Sequence, residues 1–64
     1  MIVLHKKTNF ADIRLSEYEL ALINNALNEV CNGVDIAEFE FQTRLGAMRE
    51  EARNLLDAVN RLLR

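Results

Sequence analysis

Apolar positions along the chain follow two rhythms. In the first fifteen residues the period is two. Ile2 and Leu4 alternate with Val3 and His5, and Ala11, Ile13 and Leu15 alternate with Asp12 and Arg14. Such alternation predicts two short extended pieces around a turn at Lys6–Asn9. A lone two-stranded ribbon is marginal in water, so this lead of residues 1–15 either lies on the rest of the chain, pairs with another chain, or is flexible.

From residue 16 the period becomes helical. Ser16-Glu17-Tyr18-Glu19 is a capping box, in which the serine oxygen accepts from the third helical amide and Glu19 reaches back to the serine amide. Leu20, Ile23, Leu27 and Val30 then recur on one side, predicting a first helix over 17–32 that ends at Asn32-Gly33, with glycine in the left-handed position. Asp35 and Glu38 have the spacing of a second box and open a helix over 36–45. Its Phe39 and Phe41 point to roughly opposite sides at 100° per residue. The third helix, 48–63, carries Met48, Ala52, Leu55, Leu56, Val59, Leu62 and Leu63 on one stripe, with Arg49, Glu50, Arg53, Asp57 and Arg61 opposite. Gly46 falls between the last two helices. A break there is preferred to one long kinked helix, because glycine costs ~1 kcal/mol inside a helix and suits a turn.

These elements predict a single all-α domain over 1–64, a helical hairpin of three helices with an extended lead. The first and third stripes face each other. Apolar surface then remains on Tyr18 and Leu22 behind the first helix and on Phe39 and Phe41 of the second. A chain of 64 residues buries only about 60% of the surface its unfolded form exposes, and its burial and ordering terms nearly cancel. The surplus therefore points to a homodimer, a bundle of four or six helices with a shared core.

Asparagine stands out on the first helix: Asn24, Asn25, Asn28 and Asn32 lie on one flank. Asparagine competes with the helix for backbone hydrogen bonds, so propensity does not explain the cluster. Either it is a solvated face, or its amides supply polar specificity at an interface. With the apolar surplus this makes Tyr18, Leu22, Asn24, Asn25, Asn28, Phe39 and Phe41 the expected partner-binding residues.

Charge and chemistry narrow the function classes. Eight basic against ten acidic residues give a net charge of −2, which argues against duplex DNA and anionic membranes as partners. No apolar run is long enough for a signal-peptide core or a membrane span. The single cysteine, Cys31, has no intramolecular disulfide partner, which fits a reducing cytoplasm. His5 is the sole histidine, and no metal-ligand spacing, phosphate-binding glycine loop or nucleophile–base pair is present. The chain therefore reads as a non-enzymatic cytoplasmic interaction module without cofactor or metal, regulatory or adaptor- or inhibitor-like. The alternative is a helix-turn-helix DNA-binding regulator using Arg49 and Arg53, against which the adjacent Glu50 and Glu51 count.

Overall fold

The computed structural model describes residues 1–64. Its order is β1 (Ile2–Lys6), β2 (Ala11–Arg14), α1 (Glu17–Asn28, continued by a π-helical turn over Glu29–Gly33), α2 (Glu38–Leu45) and α3 (Arg49–Leu62). With 61% of residues helical and 14% in a two-stranded antiparallel sheet, the fold is α+β. The all-α expectation is thereby corrected: the lead is an ordered hairpin. Its strands pair Val3 with Ile13 and Lys6 with Ala11, and a bulge interrupts the ladder between Val3 and His5. The Lys7 amide closes the turn onto the Phe10 carbonyl at 2.8 Å.

Every strand residue is exposed. The hairpin is tied to the helices by the Met1 ammonium, which meets the Glu19 carboxylate at 2.6 Å. That ammonium, followed by the Ser16 amide, holds the Glu19 carboxyl below the ordinary carboxylate range. A carboxyl with a lowered folded-state pKa stabilises at neutral pH, and the contribution is lost as acid titrates it.

The first helix starts as its capping box requires. Glu19 donates its amide to Ser16 Oγ at 3.1 Å, and Ser16 donates its own to Glu19 Oε1 at 2.9 Å. Its end differs from expectation. The last turn widens into π geometry, closed by the Val34 amide on the Glu29 carbonyl at 3.0 Å, and Gly33 is not left-handed. The second helix begins at Glu38, with Ala37 as its extended N-cap. The Asp35–Glu38 box is therefore not used. Ile36, expected in this helix, sits in the preceding loop with its side chain buried.

Helices α2 and α3 are separate, because Gly46 takes φ 73° and ψ 13° and ends α2 in the left-handed region. A Cβ there would meet nothing within 4 Å, so the cost of filling it is backbone strain alone. Gly46→Ala is expected to lower stability by about 1 kcal/mol, read as a fall in the urea midpoint. An unchanged midpoint would show that the turn tolerates another conformation. Beyond Gly46, α3 opens on Met48, whose amide donates to Glu51 Oε1 at 3.1 Å.

Helix α3 runs antiparallel to α1 and packs along it, while α2 lies across their far end, away from the hairpin. The molecule is flat, 36 × 29 × 15 Å, with a radius of gyration of 13.2 Å against about 10.7 Å for a compact chain of this length. Four side chains are buried: Cys31, Ile36, Phe41 and Leu56.

Candidate functional site

The interior is organised around one cation. The Arg49 side chain is 15% exposed. One of its terminal nitrogens donates to the Cys31 carbonyl at 2.8 Å, the other donates to the Ile36 carbonyl, and Nε donates to Glu38 Oε1 at 2.6 Å. The guanidinium carbon stands 4.6 Å from the centroid of the Phe41 ring. The two carbonyls belong to the end of α1 and to the loop before α2, where chain direction changes and helical partners run out. A rigid fork with several donors can serve both at once; an ammonium on a flexible stem cannot hold that geometry. The sequence pattern had put Arg49 on the solvent face of α3. The overlooked signal is that Arg49 lies seven residues, two helical turns, before Leu56 and so shares its face.

A second surface is apolar and open. Near the hairpin, Leu4, Ile13 and Leu15 line a groove of ≈ 450 Å³ together with Leu20 of α1 and Leu62 of α3, and its one charged lining residue is Arg14. At the other end, Leu27 and Val30 of α1 and Ala52 and Leu55 of α3 line a groove of ≈ 420 Å³ with Leu45 and Ala47, and Glu51 is its one charged residue. Leu20 and Leu27, like Leu55 and Leu62, are seven residues apart and therefore lie on one side of their helices. Ile23 and Val59 fall between them. The two grooves are thus the ends of one stripe along the α1–α3 seam. Leu55 is 55% exposed and Leu62 68%. The stripes expected to seal against each other do so only in part: Leu56 is buried and Leu20, Leu27, Val30 and Val59 are half-buried, but Leu55 and Leu62 open to one side.

The predicted partner-binding residues are dispersed. Phe41, expected at a surface, is wholly buried and is the largest closed side chain. Phe39, on the same helix, is 78% exposed, and Tyr18 and Leu22 are exposed on α1. None of these three lines a groove. Asn24 turns inward, accepting from Asn60 Nδ2 at 3.2 Å across the α1–α3 seam. Asn28 accepts from Asn32 at 2.9 Å along the helix, and Asn25 meets Asn24 at 3.5 Å. The asparagine flank is in part an internal hydrogen-bonded ladder, and Asn60 is the member that the sequence pattern did not connect to it.

Other chemistry is sparse. Cys31 is a free, buried thiol. No three His, Cys, Asp or Glu side chains are grouped to hold a metal ion. No helix is long and apolar enough to cross a membrane.

Fold and surface together define a small α+β domain, a ribbon followed by three helices, whose most developed site is an uncovered apolar seam. Compared with known proteins, the chain matches no family model, no curated protein and no solved structure.

Proposed function

We propose that this chain is a small protein–protein interaction module that works as a homodimer, presenting a surface rather than performing chemistry. One observation carries the reading. The chain exposes 5243 Å², whereas a compact monomer of its mass exposes about 4,200 Å². The excess of about 1,000 Å² exceeds what one partner contributes to a standard interface, roughly 800 Å². Exposed leucine, isoleucine and valine on the open seam and the hairpin contribute to it. Surface of that kind on a soluble domain marks an association site. A regulatory, adaptor or inhibitor role suits such a module, and the lone thiol suits a reducing cytoplasm.

The DNA-binding alternative draws less support from the geometry. Arg49 is held by the chain's own carbonyls, which leaves Arg53 beside Glu50 and Glu38 in a shallow polar groove.

Sedimentation equilibrium over about 1–200 µM tests the proposal. The expected mass is twice 7.4 kDa at the upper concentrations. Leu55→Asp is expected to give the single-chain mass with unchanged helical circular dichroism, since this side chain already faces solvent in one protomer. A wild-type mass of one chain throughout the range would overturn the homodimer.

A further inference from the structure

Resting on the homodimer just proposed, we infer that the occupant of the α1–α3 seam is the same seam of a second copy, laid antiparallel across a two-fold axis through the middle of the stripe. The charges at its two ends specify this direction. Glu51 is the one charged residue at the α2 end of the stripe, and Arg14 the one at the hairpin end. Neither has an ionic partner within its own chain, where the ion pairs are Met1–Glu19 and Arg49–Glu38.

A two-fold axis perpendicular to the helices exchanges the ends of the stripe. It brings Glu51 of each protomer to Arg14 of the other, twice per dimer, around a shared apolar centre. An axis along the helices instead sets Glu51 against Glu51 and Arg14 against Arg14, and like charges so placed oppose association. The apolar area is common to both arrangements; the charge pattern favours one. In the favoured one α1 and α3 of the two chains form a four-helix bundle with coiled-coil-like packing. Each hairpin then borders the partner's α2 end, which covers Leu4 and Ile13, residues that their own chain leaves more than 40% exposed.

Charge reversal with rescue by mixing tests the direction. Arg14→Glu and Glu51→Lys are each made in the full chain, and dimer dissociation is measured by sedimentation. Each variant alone replaces two attractions by two repulsions and is expected to dissociate roughly tenfold more readily than wild type. An equimolar mixture of the two restores both pairs, and a heterodimer within about threefold of wild-type affinity is expected. The mixture also guards against a folding artefact, since Glu51 accepts the Met48 amide and a misfolded Glu51→Lys chain would not be rescued. Single variants as tight as wild type, or a mixture that does not recover, would overturn the antiparallel seam while leaving the homodimer standing. A wild-type chain that stays monomeric overturns both.

Discussion

Arg49→Leu is expected to leave the chain largely unfolded at 25 °C, with urea denaturation showing no folded baseline. The substitution keeps a side chain of similar bulk over Phe41 but strips the Cys31 and Ile36 carbonyls of their donors. Each partly buried acceptor left without a partner costs about 1–3 kcal/mol, and loss of the cation above the ring adds about 0.5–2 kcal/mol. The Glu38 contact is largely exposed and contributes little. A loss of ~4 kcal/mol is comparable to the whole stability of a domain this size, about 3–5 kcal/mol before any contribution from dimerisation. Arg49→Lys separates charge from shape. It retains the cation without the fork, so an intermediate loss of about 2 kcal/mol is expected. A lysine variant as stable as wild type would show that charge alone holds the junction, and a stable leucine variant would remove Arg49 from the account.

Phe41→Ala is expected to be comparably severe, at about 3–5 kcal/mol, because a fully closed aromatic ring is replaced by a methyl group in a core of four side chains. Phe41→Leu should cost less, about 1–1.5 kcal/mol, since volume is largely conserved. Phe39→Ala provides the internal control: at 78% exposure its removal should move the urea midpoint by less than ~0.5 kcal/mol equivalent. Thermal and urea unfolding of the three variants at matched protein concentration reads these differences. Equal effects at 39 and 41 would contradict the assignment of Phe41 to the interior.

What could be read from the residues was whatever depends on near neighbours. The Ser16–Glu19 box is an interaction over three residues, and both of its bonds form. The break at Gly46 is likewise local, a backbone conformation open to glycine. The alternation of residues 1–15 marked two extended pieces around a turn, but a lone two-stranded ribbon is marginal in water, so the lead counted as extended or flexible and the fold class as all-α. The departures arise where distant segments compete. Asp35 is a good cap by type, yet the Ile36 side chain is drawn into the core and its carbonyl onto Arg49, which delays α2 to Glu38. Glycine at 33 suggested a left-handed stop, but the π turn closes α1 without one. The candidate site was misplaced for a related reason. Helical spacing shows that Leu20, Leu27, Leu55 and Leu62 share a side of their helices, and it is silent on how far two such sides rotate toward each other. Leu55 and Leu62, assigned to the core, became the open face while Leu56 stayed inside, and of the residues assigned to a surface Phe41 became buried and Asn24 half-buried against Asn60.

The 15 Å thickness of the chain has a further bearing on how it responds to change. A slab so thin has scarcely any depth, and most of its side chains touch water on at least one flank. Replacements across most of it therefore change exposed surface and leave its few buried contacts untouched. Responsibility for its own shape falls on a small knot at Cys31, Ile36, Phe41 and Leu56 and on the guanidinium clasp that draws it shut.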